Sequence, residues 1–333
     1  MRVYEAINHA LQSSMEENDK IILIGEDILD PYGGAFKVTK GLSSKFEERV
    51  IDTPISEQAI IGIGTGLSLQ GFVPIIEIMF GDFLTLITDQ IVNHVSKIRM
   101  MYGKEIPLPL IIRTPMGGRR GYGPTHSQSL EKLFFGIPGV IVVAVSSLFN
   151  PGDLLEKCIK SNSPTIFIEN KVLYAKPVKV RLEEYATNIA YSKSGIPTLT
   201  LTSGIPDLTI ITYGGMVEIT LSAAKQLLEE EGLRAEIIIP HQLSPLYEAP
   251  ILDSATKTKR AVIVEEGHAQ WGWGSEVASM LTDIQMEAPV QRVGSKLAPI
   301  PACRSLEDQF LPNERSIIDA AIRTVDRSYI LNK

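Results

Sequence analysis

Asp52-Thr53-Pro54-Ile55-Ser56-Glu57 leads into residues 58–71, where glycines at 62, 64, 66 and 71 alternate with isoleucines and leucines. This pattern predicts a helix over residues 58–70 that packs closely against other backbone. Glu57 is expected in the first turn of this helix, where free amides and the helix dipole favour a charged carboxylate and burial opposes it. Glu57 is therefore a candidate proton carrier, although a plain capping glutamate would have the same position.

Short β-branched runs alternate with longer amphipathic stretches around this segment. The alternation predicts an α/β fold with a parallel sheet and helices on both faces. The predicted strands are 21–25, 50–52, 73–77, 108–113, 140–145 and 165–169, and the predicted helices are 3–18, 58–70, 83–101 and 151–161. Because ligands bind at the carboxyl ends of such strands, we expect one site in the loops that follow them.

A proline-containing stretch separates this unit from a second one. Pro177, Pro197 and Pro206 interrupt the pattern and predict an interdomain linker. We therefore divide the chain into a first domain at 1–180, a linker at 181–206 and a smaller α/β domain at 207–333. The second domain has predicted strands at 208–213, 235–240, 261–265 and 290–293, and predicted helices at 217–231 and 274–283.

Composition excludes several classes of protein. The chain has 333 residues, a formal net charge of −7 and no run of basic residues, which argues against a nucleic-acid partner. Its apolar runs are too short to span a membrane, and no apolar signal core is present near Met1. The two cysteines, Cys158 and Cys303, have neither metal-site nor disulfide-scaffold spacing. These features predict a cytoplasmic protein with no membrane partner and no metal site of its own.

Two further segments carry candidate site residues. The glycine-rich loop 113–129 contains His126, a candidate general acid or base, although a surface histidine is an open alternative. Arg119 and Arg120 in the same loop are more simply read as solvated. The segment Glu77-Ile78-Met79-Phe80-Gly81-Asp82-Phe83 ends a strand with apolar groups on which a planar ring can stack, but core packing would look the same.

Several motifs occur in an order that resembles one known family. They include Gly25-Glu26-Asp27, Asp52 to Glu57, Glu77 to Phe83, Gly123 to Ser129, Glu169 to Tyr174, Leu243 to Leu246 and Val264 to Glu266. The family is the beta subunit of the thiamine-diphosphate-dependent decarboxylating component of 2-oxo acid dehydrogenase complexes, as in pyruvate dehydrogenase. The resemblance implies a pyrimidine-binding domain followed by a transketolase C-terminal-like domain.

The resemblance also implies residue roles. Glu57 matches the glutamate that hydrogen-bonds the aminopyrimidine of thiamine diphosphate, Phe83 matches the aromatic that packs on that ring, and Met79 falls on the same wall. His126 matches the histidine that faces the substrate and assists acyl transfer to a lipoyl group. The implied reaction is oxidative decarboxylation of a small 2-oxo acid with acyl transfer to lipoamide.

A missing motif points to a partner. The family binds the diphosphate through Mg²⁺ on a Gly-Asp-Gly motif, which this chain lacks. In two-subunit members that motif lies on the alpha subunit. The resemblance therefore implies an α2β2 heterotetramer with the active site between chains and Mg²⁺ on the alpha subunit, serving the lipoyl domain of an acyltransferase.

Some positions depart from the family pattern. Residues 239–242 replace a usual Asp-Leu-Arg, Trp271-Gly-Trp-Gly274 replaces a Gly-Gly-Phe-Gly-type turn, and Ser161 stands where an acidic residue near a monovalent-cation site is expected. Because of these departures, a carrier protein is an alternative to the lipoyl domain as the acyl acceptor. A transketolase-like half-enzyme that transfers two-carbon units and a non-catalytic scaffold are the remaining alternatives.

Overall fold

The computed structural model describes residues 1–103, 106–179 and 181–325. Within them the chain forms two α/β units, each built on one mostly parallel sheet, which confirms the predicted fold class. The strands are β1 (Ile21–Gly25), β2 (Val50–Asp52), β3 (Val73–Glu77), β4 (Ile111–Met116), β5 (Ile141–Ala144), β6 (Thr165–Asn170), β7 (Ala186–Tyr191), β8 (Pro197–Thr202), β9 (Leu208–Thr212), β10 (Ala235–Pro240), β11 (Gln242–Ser244), β12 (Ala261–His268) and β13 (Gln291–Ser295).

Helices cover these sheets. They are α1 (Val3–Glu17), α2 (Leu42–Lys45), α3 (Glu57–Leu69), α4 (Ile98–Met101), α5 (Pro151–Lys160), α6 (Met216–Glu231), α7 (Ala249–Thr258), α8 (Trp273–Met280), α9 (Arg304–Phe310) and α10 (Glu314–Val325). Local sequence explains their ends: Asn150 caps α5 by accepting a hydrogen bond from the Gly152 amide at 2.9 Å, and Pro151 occupies the first turn. None of the helices in the described ranges is long and apolar enough to cross a membrane.

The first sheet has the strand order β11-β5-β6-β4-β3-β1-β2. Strands β1 to β6 pair in parallel, and β1, β4, β5 and β6 are buried along their whole length because helices cover both faces. Strand β11 comes from the second half of the chain and pairs antiparallel with β5. The two units therefore share a sheet as well as a core cluster that includes Ile112, Ile211 and Trp273.

The second sheet corrects the predicted linker. Its order is β13-β12-β9-β10-β8-β7, and both β7 and β8 lie inside residues 181–206. Two of the prolines that suggested a linker bracket β8. Pro197 is its first residue and Pro206 lies after its end, and both are positions where proline is tolerated. The alternation Thr198-Leu199-Thr200-Leu201-Thr202 was the strand signal that outweighed them.

The predicted helix at 83–101 is also corrected. The segment contains a 3-10 helix at Gly81–Ile87, a π-helix at Gln90–Val95 and the short α4. Hydroxyl groups explain part of the irregularity, since Thr88 and Ser96 each donate to the carbonyl four residues earlier, at 3.1 and 2.8 Å. Such back-bonding competes with the regular helical ladder.

Candidate active site at the carboxyl edge of the first sheet

Strands β6, β4, β3, β1 and β2 are consecutive neighbours in the first sheet, so the loops after them lie along one edge. Glu57 follows β2, Met79 and Phe83 follow β3, and His126 lies in the loop after β4. All four predicted site residues therefore lie along the ligand-binding edge of an open α/β sheet.

Glu57 is the first residue of α3 and is 7% exposed. Ser56 precedes it at the cap position, where its carbonyl accepts from the Ile60 amide at 3.0 Å. Within the described residues no hydrogen bond to the Glu57 carboxylate is formed. A carboxylate buried at a helix start without a partner is available to a ligand.

A second carboxylate lies beside it. Glu26 follows β1, is 7% exposed, and its Oε1 has no hydrogen-bond partner in the described part of the chain. Burial raises the pKa of Glu26, and the nearby charge of Glu57 raises it further, while the Ser56 backbone opposes the shift. Glu26 was not predicted as a site residue, although an acidic residue directly after a buried strand is a signal of one.

An aromatic wall faces His126. The ring centroids of Phe83 and His126 lie 5.4 Å apart with an edge-to-face angle of 79°. Phe80 lies closer still, at 4.8 Å from His126 and 5.8 Å from Phe83. Phe83 and His126 are therefore in direct contact, and Phe80, which was not assigned to the site, completes the cluster. Met79 is half-buried at the same strand end.

The loop that carries His126 is anchored by the second domain. The Gly118 amide donates to Glu266 Oε1 at 2.7 Å, and the amides of Arg119 and Gly121 donate to the two oxygens of Glu307 at 2.8 and 2.9 Å. The Arg119 guanidinium donates to the Pro312 carbonyl. Arg119 thus fixes the loop to the second domain, and the position of His126 depends on both domains.

A buried ion-pair network lies beneath the strand ends. Arg113 is 1% exposed and donates to Glu77 at 2.9 Å and to both oxygens of Glu169 at 2.7 and 2.9 Å. Tyr174 donates to the same Glu169 at 2.7 Å, and burial raises the pKa of Tyr174 so that its hydroxyl remains a donor. A bidentate guanidinium with satisfied partners fixes the ends of β3, β4 and β6 relative to one another.

The described residues contain no cluster of three or more His, Cys, Asp or Glu side chains arranged to hold a metal ion. Among the groups at this edge are two neighbouring carboxyl groups, an aromatic wall and an imidazole. Such a set can exchange a proton with a nitrogen heterocycle stacked on the wall and place a second acid or base nearby.

Comparison with known proteins covers nearly the whole chain. Residues 1–177 match the family model described as transketolase, pyrimidine binding domain, and residues 200–317 match the transketolase C-terminal domain. The pyruvate dehydrogenase E1 component subunit beta of Staphylococcus epidermidis is 34% identical, over 98% of this chain and 99% of the relative. The acetoin:2,6-dichlorophenolindophenol oxidoreductase subunit beta of Bacillus subtilis is also 34% identical, over 96% and 95%.

A solved structure supports the same fold. A chain described as "Split gene transketolase, inactive beta4 tetramer" superposes with a TM-score of 0.72 over 98% of both chains, at 23% identity. At that identity the likeness supports the architecture of two α/β domains and nothing finer.

Proposed function

This chain belongs to the thiamine-dependent, transketolase-like family of E1 beta subunits found in pyruvate dehydrogenase and acetoin oxidoreductase, and we propose that it forms half of a thiamine diphosphate site for 2-oxo acid decarboxylation. The observation that carries the proposal is the arrangement of Glu57, Phe83 and His126 along one sheet edge, with the unpartnered Glu26 oxygen among them.

The residues at this edge fit the pyrimidine half of the cofactor. The Glu26 oxygen that has no hydrogen-bond partner in the described residues and the buried Glu57 carboxylate can bind a polar ligand, and Phe83 offers an aromatic face for a planar ring. When bound, thiamine diphosphate supplies the carbon nucleophile and the electron sink for decarboxylation. In this proposal Glu57 holds a proton at a pyrimidine ring nitrogen, Phe83 orients that ring with Met79 on the same wall, and His126 moves a proton at the substrate oxygen during acyl transfer.

The exposed face of α3 supports a partner chain. Gly62 and Gly66 are exposed, and a Cβ on Gly66 would meet no atom within 4 Å, so nothing within this chain requires glycine there. Glycine in a helix costs about 1 kcal/mol relative to alanine. Ile63 on the same face is 57% exposed, and Ile55 just before the helix is 83% exposed. We propose that an alpha subunit packs closely on this face in an α2β2 heterotetramer and contributes Mg²⁺ and the diphosphate site.

The proposed acyl acceptor is a lipoyl group on an acyltransferase component, with transfer of the acyl group from a small 2-oxo acid. The relative named for pyruvate supports a 2-oxo acid as substrate, whereas acetoin, for which the other relative is named, is a ketol and favours the alternative donor class. A carrier protein as acceptor is the competing version.

Reconstitution tests the proposal. The chain and its cognate alpha subunit are purified separately and assayed alone and mixed, with pyruvate, a branched 2-oxo acid or acetoin and a dye acceptor. We expect carbon dioxide release from a 2-oxo acid only in the mixture, and acyl transfer to a lipoyl domain. Turnover by the chain alone would contradict the shared site. Transfer of a two-carbon unit from ketol sugars, without carbon dioxide release or dye reduction, would favour the transketolase-like alternative.

A further inference from the structure

Lys171 is a buried cation beside the proposed site. It follows β6 at the same sheet edge and is 1% exposed, although lysine is almost never fully buried without a partner. Within the described ranges its ammonium group forms no ion pair with a carboxylate. The groups that the Lys171 ammonium contacts therefore indicate what it does.

Those contacts converge on His126. The Lys171 ammonium donates a hydrogen bond to the His126 carbonyl. The same group lies 5.2 Å from the centre of the Phe80 ring and 5.7 Å from that of Tyr122. Phe80 in turn packs edge-to-face on the His126 imidazole at 4.8 Å. One cation thus touches the backbone of His126 and the ring that supports its side chain.

We propose that Lys171 is a positioning residue for His126, whose ammonium group fixes the loop backbone and the Phe80 ring so that the imidazole faces the reacting substrate. This inference rests on the proposed function for the role of His126. The contacts themselves do not depend on it, because they are made entirely within this chain.

The positioning is expected to depend on pH. Burial lowers the pKa of Lys171 to about 8. The charged and titratable groups around it are Asp82 after β3, Arg120, Tyr122 and His126 in the loop after β4, Glu266 in β12 and Glu307 in α9. The carboxylates raise the pKa and Arg120 lowers it. As pH rises through about 8, the ammonium group loses its charge, and its attraction to the aromatic rings and to the carbonyl weakens.

The first test uses the isolated chain. Histidine ring signals are followed by NMR between pH 7 and 9.5, with the His126 signal assigned from His126→Ala. We expect an inflection of that signal near pH 8 in the wild type, none in Lys171→Arg, and a displaced signal without inflection in Lys171→Met. Lys176→Met, an exposed lysine nearby, is the control and should match the wild type. A wild-type His126 signal and inflection in Lys171→Met would overturn the proposal.

The second test uses the reconstituted complex. In Lys171→Met the kcat of acyl transfer should fall about 10- to 100-fold with little change in the KM for the 2-oxo acid, as expected for a misplaced group. The kcat of Lys171→Arg should lie between those of Lys171→Met and the wild type, and it should not decline above pH 8 because arginine stays charged there. Equal kcat values in the wild type and Lys171→Met would contradict the proposal. If the wild-type complex releases no carbon dioxide, the proposed function fails, while the NMR result still decides the role of Lys171.

Discussion

At the residue scale, the carboxyl edge of the first sheet brings together side chains that were predicted one by one from the sequence. It also adds neighbours that are recognised only once the chain is folded. Glu57 and His126 were predicted as site residues from their own loops and Phe83 from the family resemblance; the structure brings all three to one sheet edge, and their roles stay predictions. Glu26 and Phe80 were not assigned to the site, because what distinguishes them is a neighbour distant in sequence: the charge of Glu57 for Glu26 and the His126 ring for Phe80.

His126 gives a prediction that separates two half-reactions. In His126→Ala within the reconstituted complex, decarboxylation should survive largely intact while acyl transfer falls by about 100-fold or more, because a positioned acid or base contributes that much to proton transfer. Carbon dioxide release and acylation of a lipoyl domain are measured separately. His94→Ala, which changes an exposed histidine, is the control. An equal loss in both half-reactions would argue against the assigned role.

At the element scale, α3 shows two different uses of glycine. A Cβ on Gly64 would lie 2.5 Å from Ile76 Cδ1, whereas one on Gly66 would meet nothing within 4 Å. The sequence predicted close packing of this helix, and within the chain that packing is made by Gly64 against β3. The other glycines are explained by the proposed partner.

These two positions form a matched pair of substitutions. Gly64→Ala should give the isolated chain a lower free energy of unfolding than Gly66→Ala does, by about 1–3 kcal/mol, because its Cβ overpacks the core against Ile76. Gly66→Ala should leave that free energy unchanged or raise it by up to about 1 kcal/mol, because alanine favours the helix, yet it should weaken binding of the alpha subunit. Urea unfolding and sedimentation of mixtures measure the two effects. If Gly66→Ala bound the alpha subunit as tightly as the wild type does, the exposed glycine would no longer support a partner on α3.

Element boundaries were the least predictable part of the fold. The π-helix at Gln90–Val95 depends on hydroxyl contacts that periodicity does not reveal. The hairpin of β7 and β8 was hidden by prolines that turned out to flank a strand. Buried parallel strands such as β1 were predictable because burial on both faces leaves a continuous apolar run.

At the scale of the whole molecule, the two domains are joined by β11 and by a buried histidine. The ring of His241 is within hydrogen-bond distance of Ser146 Oγ in the first domain, at 2.9 Å, and of the Pro197 carbonyl in the second, at 3.2 Å. Burial lowers the pKa of His241 to about 4. This residue lies in the segment 239–242, which the sequence predicted to depart from the family pattern, and it supplies a contact between the two domains.

The stability of the chain should therefore depend on His241 in acid. Its folded pKa lies below the ordinary value of 6.5, so its contribution is complete above pH 6.5 and is lost as pH falls towards 4, by roughly 3 kcal/mol in total. Burial raises the pKa of Glu265 to about 7. Such buried glutamates have the opposite effect, because their protonation in the folded state increases stability as pH falls. The informative quantity is thus the difference between the wild type and His241→Gln.

Urea unfolding from pH 7 to pH 4 measures that difference. We expect His241→Gln to lose less stability over this range than the wild type, and His94→Gln to follow the wild type. If the free energy of unfolding fell equally with pH in the wild type and in His241→Gln, the buried ring would not be a source of the pH dependence of stability.

The most direct test of the proposed shared thiamine site is the exchange rate of the thiazolium carbon proton of thiamine diphosphate in the reconstituted complex. In Glu57→Gln this rate should fall by about 100-fold or more, since the carboxyl group that exchanges a proton with the pyrimidine is gone, while the mass of the assembly stays unchanged. Glu48→Gln, at an exposed glutamate, should match the wild type. A wild-type exchange rate in an intact Glu57→Gln complex would contradict the assignment of this edge as the cofactor site.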